Sequence, residues 1–188
     1  MRIYAVKPEP NCNLFCILNV GTSLYNQITL IRILWVMVFI FIPLLSIYGR
    51  GIQMFLRDNL STTQFTAITA IVLLALCIKA VYWLIKKHAL KKIWHLGWFI
   101  PLFFILPFFM PIIEERVHFI VFGSFGFLSM LIFSPRIAIA ICLAVSALDE
   151  GLQWHLPDRV GDWADIAINT LASLGAAAIV YITWKKDA

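Results

Sequence analysis

The stretch of sequence that decides the fold is PRIAIAICLAVSALDEGLQ, residues 135–153. Its uninterrupted apolar part, residues 137–148, is shorter than the roughly 20 residues that a helix needs to cross a bilayer. It reaches that length only if Pro135 begins the helix and Asp149, Glu150 and Gln153 end it. Proline is well tolerated in the first turn of a helix, because its missing N–H has no helical partner there. With this stretch the chain has six apolar spans, and without it five.

The other apolar stretches are longer and together account for most of the chain. They occupy residues 28–49, 59–85, 93–113, 117–135 and 166–184. The composition agrees with membrane spans, since 62% of the residues are hydrophobic, 13% are charged and the mean hydropathy is +0.89. A soluble domain has roughly 45–50% apolar and about 25% charged residues. A soluble globular domain and a disordered chain are therefore both excluded.

The distribution of basic residues favours six spans over five. In a six-span arrangement, one side of the membrane receives Arg2, Lys7, Arg32, Lys79, Lys86, Lys87, Lys91, Lys92, Arg136, Lys185 and Lys186. The other side receives Arg50, Arg57, Arg116 and Arg159. Basic residues concentrate on the cytoplasmic side of membrane proteins. We therefore predict an all-α polytopic membrane helix bundle of about six transmembrane helices, with both termini cytoplasmic.

This arrangement divides the chain into three parts and limits its partners. Residues 1–27 are predicted to form a cytoplasmic tail, residues 28–92 two transmembrane helices without a recognised motif, and residues 93–188 a membrane domain. The formal charge of +5 does not indicate nucleic-acid binding, because the basic residues flank apolar runs. No secretory signal peptide is expected, since no small-residue cleavage site follows the first apolar run. The cysteines lack the spacing typical of zinc sites, and we predict no metal site and no cofactor.

Acidic residues are rare, and most of them gather at one predicted surface of the membrane. Most of the 10 Asp and Glu residues lie between positions 114 and 165, in segments that the six-span arrangement places outside. On a helix, Asp149 and Gln153 are neighbours one turn apart. The sixth predicted helix carries a polar stripe of Asp162, Asp165, Asn169 and Ser173. A polar stripe that enters a span normally faces other helices or a water-filled cavity.

These residues predict a polar pocket at the outer face of the membrane. The candidates for catalysis are His118, Asp149 and Glu150, and the candidates for ligand binding are Gln153, Arg159, Asp162, Asp165 and Asn169. Each candidate also has a structural interpretation. Asp162 can cap the sixth helix, and Asn169 can join two helices by hydrogen bonds. Arg159 can pair with a carboxylate of a neighbouring helix.

The sequence DEGLQWHLPDR, residues 149–159, resembles the VanZ-like family. That family shows a D-E-x-x-Q turn, then P-G-R, and then a helix with Asp, Asn and Gly. The residues that match are Asp149, Glu150, Gln153, Pro157, Arg159, Asp165, Asn169 and Gly175. Asp158 stands where the family has Gly. Upstream, residues 116–119, RVHF, resemble the family's short K-x-x-H-F motif, which contains His118. The resemblance covers about residues 93–184, so the predicted membrane domain 93–188 is VanZ-like.

The resemblance implies a small bacterial multi-pass protein of the cytoplasmic membrane, related to a protein associated with teicoplanin resistance. We favour a binding protein whose pocket receives an amphiphilic ligand: a lipid headgroup, a cell-wall intermediate or the glycopeptide itself. A membrane enzyme acting on a lipid-linked substrate stays open, with the carboxylates and His118 dividing acid and base roles. A purely structural polar network stays open as well. A transporter has less support, because no internal repeat is visible.

Overall fold

The backbone is helical throughout most of the residues that the structure describes. The computed structural model of the chain describes residues 14–86, 97–98, 101–110, 113–157, 159 and 161–185. The helices are α1 Leu14–Asn59, α2 Thr62–Lys86, α3 Leu106–Phe109, α4 Ile113–Ile132, α5 Pro135–Trp154 and α6 Trp163–Val180. A π-helical turn, Pro101–Ile105, precedes α3, and a second, Tyr181–Lys185, follows α6. The all-α prediction is confirmed.

Within the part of the chain that the structure describes, three helices are long and apolar enough to cross a membrane. The segments are Tyr25–Ile52, Pro135–Trp154 and Trp163–Thr183, while the apolar segments Thr63–Val72 and Arg116–Ile132 are shorter. Their length and apolar composition show that the chain is a membrane protein. The count of six spans, the cytoplasmic termini and the division at residues 27 and 92 stay predictions. Residues 87–92 of the predicted loop and residues 93–96, 99–100 and 111–112 of the third predicted span lie outside the described residues.

Helix α5 begins and ends where the six-span prediction requires. It begins at Pro135, which follows Ser134 in extended conformation at the N-cap. It continues through Asp149, Glu150 and Gln153 to Trp154. The short apolar run therefore becomes a full-length helix, and it carries its carboxylates in its last two turns. This places acidic side chains inside the bundle rather than in a connecting loop.

Helix α4 occupies the centre of the bundle and contacts α1, α5 and α6. Its Phe119, Phe122 and Phe125 are fully buried. Trp35 of α1 stacks on Phe125 with 5.6 Å between ring centroids, and its Nε1 donates a hydrogen bond of 2.8 Å to Ser129 Oγ. Phe39, one turn later in α1, also stacks on Phe125. The two helices therefore run antiparallel in a defined register.

Helices α4 and α6 approach each other closely at Gly126. A Cβ atom at Gly126 would lie 2.6 Å from the Cα atom of Ser173 in α6. Ala172 and Ala176, on either side of Ser173, are buried in the same contact region. Small residues allow two helix backbones to approach closely in a membrane. Gly126 thus faces the small residues of α6, which occupy positions 172–173 and 175–178.

Candidate functional site

Two adjacent carboxylates, Asp149 and Glu150, are buried near the end of α5 and form the carboxylate pair. Their side chains are 3% and 0% exposed. Asp149 accepts a hydrogen bond from Ser46 Oγ of α1 and one of 3.2 Å from Gln153 Nε2. The hydroxyl of Ser46 thus joins α1 to α5 at this level. Burying a carboxylate costs free energy unless hydrogen bonds replace its water, and these donors supply part of that replacement.

Glu150 joins α5 to α6 at two heights. Its Oε1 atom accepts hydrogen bonds from Gln153 Nε2 at 3.2 Å and from Asn169 Nδ2 at 3.4 Å. Its Oε2 atom accepts one of 3.2 Å from the backbone N–H of Asp162, at the start of α6. A single buried side chain therefore holds both the N-cap residue of α6 and a residue almost two turns further along. This contact brings Asp149, Glu150, Gln153 and Asn169 together, as the sequence predicts.

The backbone N–H of Asp162 belongs to this network, and its side chain caps the N-terminus of α6. The side chain is exposed and accepts a hydrogen bond of 3.0 Å from the backbone N–H of Ala164. This is the N-cap geometry, in which a side-chain oxygen satisfies an N–H that has no partner within the helix. The structural interpretation of Asp162 as a cap is therefore confirmed.

Replacing Asp162 with alanine is expected to lower the free energy of unfolding by about 1 kcal/mol, because the cap is lost. The matched control is Asp162→Asn, which keeps a side-chain oxygen in place and should cost much less. Thermal unfolding of both purified variants in detergent measures the difference. Equal melting temperatures for the two variants would show that the cap does not stabilise α6.

The register of the helices places His118 level with the carboxylate pair. Trp35 and Ser46 are separated by as many residues as His118 and Ser129, and Trp35 hydrogen-bonds Ser129. Since α1 and α4 run antiparallel, His118 lies roughly 16 Å beyond that contact, at about the height of Ser46. About three full turns separate the two levels, so His118 shares the face of α4 that Ser129 presents to α1. Ser46 itself bonds Asp149.

The position of the turn between α4 and α5 independently places His118 at the height of the carboxylate pair. His118 and Asp149 are equally far along the chain from the turn at residues 133–134. Because α4 and α5 are joined by this short turn and contact each other, they lie side by side in opposite directions. His118 and Asp149 are thus at about the same height, one on each helix.

The side chain of His118 is buried, and its Nε2 atom makes no described hydrogen bond. Its side chain is 7% exposed, and among the described residues its Nε2 atom has no hydrogen-bond partner. Phe122, one turn later in α4, packs edge-on against the imidazole. The Oγ atom of Ser146, fully buried one turn before the carboxylate pair in α5, has no described partner either. Two buried polar atoms therefore have unused hydrogen-bonding capacity, one on α4 at the height of the carboxylate pair and one on α5 a turn before it.

Arg159 and Asp165 lie at the margin of this cluster rather than within it. Both side chains are half-buried, in the α5–α6 loop and in the first turn of α6 respectively. Burial lowers the pKa of the Arg159 guanidinium, and neighbouring Arg50 lowers it further, while Asp165 raises it. Arg159 and Asp165 therefore interact electrostatically, at the end of the bundle where the carboxylate pair is buried.

Arg116 is close to His118 in sequence, but its side chain bonds residues outside the polar cluster. Its Nε and Nη2 atoms donate hydrogen bonds of 3.1 Å and 3.0 Å to the backbone carbonyl of Met110, and Nη1 donates one of 3.3 Å to Thr66 of α2. The guanidinium thus fixes the entry of the chain into α4. Its hydrogen bonds connect it to α2 and to the end of the α3 region.

A comparison with protein families identifies the chain. The model described as VanZ/LLP1 matches residues 29–184. The chain belongs to the VanZ/LLP1 family. The match confirms the resemblance to the VanZ-like family and begins within α1, so the matched range includes Ser46 as well as His118. No curated protein and no solved structure matches the chain.

The sequence patterns do not single out Ser46, which bonds Asp149, or Ser146, which lies one turn before Glu150. Ser46 lies on α1 with Ile42, Leu45 and Gly49, which are buried with it at helical spacing. Its signal is that a hydroxyl on the buried face of an apolar span faces protein rather than lipid. Ser146 precedes Glu150 by one turn and carries the same signal. A serine in an apolar run is too common, however, for either signal to stand out in one sequence.

In this member of the VanZ/LLP1 family, the polar residues around the carboxylate pair offer mainly hydrogen-bond acceptors. The carboxylate pair supplies four oxygen atoms, and His118 and Ser146 supply a nitrogen and a hydroxyl without described partners. Among the described residues, no three His, Cys, Asp or Glu side chains are placed to hold a metal ion. We define the polar site as Ser46, His118, Ser146, Asp149, Glu150, Gln153 and Asn169.

Proposed function

We propose that this protein is a multi-pass protein of the bacterial cytoplasmic membrane whose polar site binds the headgroup of an amphiphilic ligand at the extracytoplasmic face. The ligand is a lipid, a cell-wall intermediate or a glycopeptide, and binding lowers susceptibility to glycopeptides. The observation that supports this proposal is the Nε2 atom of His118, which is buried level with the carboxylate pair and has no described partner.

An unpartnered polar atom in a protein interior requires an explanation. Burying a donor or acceptor without a hydrogen bond costs about 1–3 kcal/mol. A network that served only to hold helices together would gain stability by an apolar residue at position 118. A ligand that supplies the missing partner explains why a histidine is present there. The same argument applies to Ser146, whose Oγ atom lies on the buried face of α5.

The surroundings of the polar site favour an amphiphile over a water-soluble ligand. Trp154 and Trp163 are exposed at the adjacent ends of α5 and α6, with their rings 5.2 Å apart. Exposed indole rings at helix ends are typical of the boundary between membrane and water. Leu148 of α5 is 70% exposed beside the buried carboxylates, as expected of a side chain that faces acyl chains. Arg159, near the same end, can hold a phosphate or carboxylate of the ligand.

The test compares susceptibility to teicoplanin with membrane abundance in a susceptible bacterium. The variants are His118→Ala, Glu150→Gln and Arg159→Ala, expressed beside the wild type. We expect the wild type to lower susceptibility and the variants to lose this effect at normal abundance. The control is Gly151→Ala, next to Glu150, because a Cβ atom at Gly151 meets no atom within 4 Å.

One possible result would contradict the glycopeptide part of the proposal, and another would contradict the role of the polar site. A wild-type protein without any effect on susceptibility removes glycopeptides from the ligand classes. Variants that accumulate normally and retain the full effect show that the polar site does not serve this function. Immunoblotting of isolated membranes provides the abundance on which both conclusions depend.

The second candidate function is purely structural: the polar residues hold the helices together and bind no ligand. It is favoured by the described hydrogen bonds of the carboxylate pair, which are all internal to the bundle. Ser46, Gln153, Asn169 and the backbone of Asp162 all donate to Asp149 or Glu150. If this were the whole role, variants at His118 and Arg159 would leave the phenotype intact. Variants at Glu150 would then reduce abundance, and the loss of effect would follow the loss of protein.

A further inference from the structure

We propose that a groove on α2, beside Arg116, binds the phosphate group of an anionic phospholipid. The groove has a volume of about 410 Å³. Its described lining consists of small side chains on one face of α2: Thr63, Thr66, Ala67 and Ala70. The groove is separate from the polar site, because Arg116 and His118 are two positions apart on α4 and such residues do not face each other. The inference therefore does not depend on the proposed function.

The guanidinium of Arg116 is buried, and its described hydrogen-bond acceptors are neutral. The side chain is 8% exposed. Its Nε and Nη2 atoms each donate to the backbone carbonyl of Met110, and its Nη1 atom donates to the hydroxyl of Thr66. A guanidinium has five N–H donors, so two of them take part in no described bond. A buried charge needs an opposite charge and further hydrogen bonds to offset the loss of its water. An anion that accepts from the remaining donors supplies both.

Thr66 connects this charge to the groove. It lines the groove, and its Oγ1 atom lies 3.3 Å from Arg116 Nη1 and accepts the hydrogen bond. The guanidinium therefore borders the groove. The Thr66 hydroxyl still has a proton to donate, and so does that of Thr63, one turn earlier on the same face of α2. Neither proton takes part in a hydrogen bond among the described residues, so both hydroxyls can donate to an anionic oxygen.

The N-terminus of α2 adds a positive field at the same place. The helix begins at Thr62, and its first turn contains no acidic residue. Unpaired N–H groups give a helix N-terminus a partial positive charge, which favours anions. The described cap is neutral, since Ser61 and Gln64 exchange hydrogen bonds of 2.9 Å and 3.2 Å between side chain and backbone N–H. A phosphate in the groove thus meets donors and positive charge from both α2 and α4.

The apolar surface beyond the groove favours an anion that carries acyl chains. Ile68, Ile71 and Leu74 follow the groove-lining threonines along α2, and all three side chains are exposed. Among the described residues, α2 makes few contacts with the other helices. Exposed aliphatic side chains on an apolar helix of a membrane protein are expected to contact lipid tails. A phospholipid can therefore place its phosphate near the start of α2 and its acyl chains along the helix, whereas a free phosphate would use only the groove.

The experiment measures the binding of radiolabelled lipids to the purified full-length protein in detergent. The probes are phosphatidylglycerol, phosphatidylcholine and diacylglycerol with identical acyl chains. Phosphatidylcholine carries a cation beside its phosphate, and diacylglycerol has no phosphate. We therefore expect phosphatidylglycerol to bind at least about tenfold more tightly than either, as a charge-assisted contact with the guanidinium predicts. Excess inorganic phosphate should not displace it. Displacement would assign the groove to a free anion and overturn the lipid assignment.

Substitutions on α2 locate this preference without changing Arg116. Ala67→Leu fills the groove and is expected to reduce the preference for phosphatidylglycerol to about twofold or less. Ala75→Leu is the matched control, because Ala75 is also exposed on α2 but does not line the groove. Thr63→Val removes one hydroxyl at nearly constant volume and should weaken binding of phosphatidylglycerol about fivefold.

Substitutions on α4 test the charge itself. Arg116→Gln is expected to abolish the preference, and Arg116→Lys, which keeps the charge but not the planar set of donors, should retain part of it. His118→Phe should retain all of it, since His118 belongs to the polar site. Arg116 also bonds Met110, so if Arg116→Gln fails to fold, Ala67→Leu and Thr63→Val still decide the question.

The outcomes separate this inference from the proposed function. Equal binding of the three lipids by the wild type overturns the inference. A preference for phosphatidylglycerol that persists unchanged in Ala67→Leu and Thr63→Val places the lipid elsewhere on the protein and overturns it as well. A preference that is lost in His118→Phe but retained in Ala67→Leu assigns the lipid to the polar site, which overturns the inference and supports the proposed function.

Discussion

Replacing Gly126 with valine is expected to force α4 away from α6 and to destabilise the protein strongly. A Cβ atom at this position would overlap the backbone of Ser173, since it would lie 2.5 Å from the carbonyl carbon and 2.6 Å from Cα. Backbone atoms of a packed helix cannot move aside as the end of a flexible side chain can. Overpacking of a core costs about 1–3 kcal/mol and at times more, and separation of the two helices places this substitution at the upper end.

The expected result is a fall in melting temperature of roughly 5–10 °C for the purified protein in detergent. Gly51→Ala and Gly151→Ala are the controls, because an added Cβ atom at either glycine meets no atom within 4 Å. Both controls are in helices, where alanine is the better helix former, and they should not lower the melting temperature. A Gly126→Val protein as stable as these controls would contradict the close approach of α4 and α6.

Replacing Glu150 with alanine is expected to destabilise the protein by a different route, the loss of buried hydrogen bonds. The substitution removes the acceptor of Asn169 Nδ2 and of the Asp162 backbone N–H, and one of the two acceptors of Gln153. Each buried donor left without a partner costs about 1–3 kcal/mol. We therefore expect a loss of about 3 kcal/mol or more, and loosening of the start of α6 from α5.

Glu150→Gln is the matched variant, since its amide oxygen can still accept from Asn169 and Gln153. It loses the contact with the Asp162 backbone N–H and should cost only about 1 kcal/mol. Thermal unfolding followed by far-ultraviolet circular dichroism measures both variants. Hydrogen exchange at the first turn of α6 should increase in Glu150→Ala and much less in Glu150→Gln. Equal stability of Glu150→Ala and the wild type would show that the carboxylate does not join the two helices.

The sequence is sufficient to predict the features of the fold that depend on local chemistry. Proline at the start of α5 and an apolar run ending in Asp149 and Glu150 define a helix, because both its length and its first residue are local properties. Asp162 at the N-cap of α6 is predictable for the same reason. The membrane character follows from composition. These predictions require no knowledge of which helix packs against which.

The arrangement of the site depends on contacts between distant parts of the chain, which a single sequence does not contain. Ser46 contacts Asp149 because Trp35 and Ser129 fix the register of α1 against α4, and no local pattern encodes that register. The close approach at Gly126 is invisible for the same reason, since only α6 shows a run of small residues. Asp149, Glu150, Gln153 and Asn169 could be predicted as a group because two neighbouring helices carry them at helical spacing.

The central claim, that the polar site receives a ligand through His118, is tested most directly by His118→Phe. Phenylalanine keeps an aromatic ring beside Phe122 and removes the nitrogen, and the unliganded protein loses no described hydrogen bond at Nε2. We predict that the melting temperature changes by no more than about 3 °C and that the effect of the protein on teicoplanin susceptibility is lost at normal membrane abundance. A full effect on susceptibility in this variant, or a destabilisation as large as that of Glu150→Ala, would contradict the account.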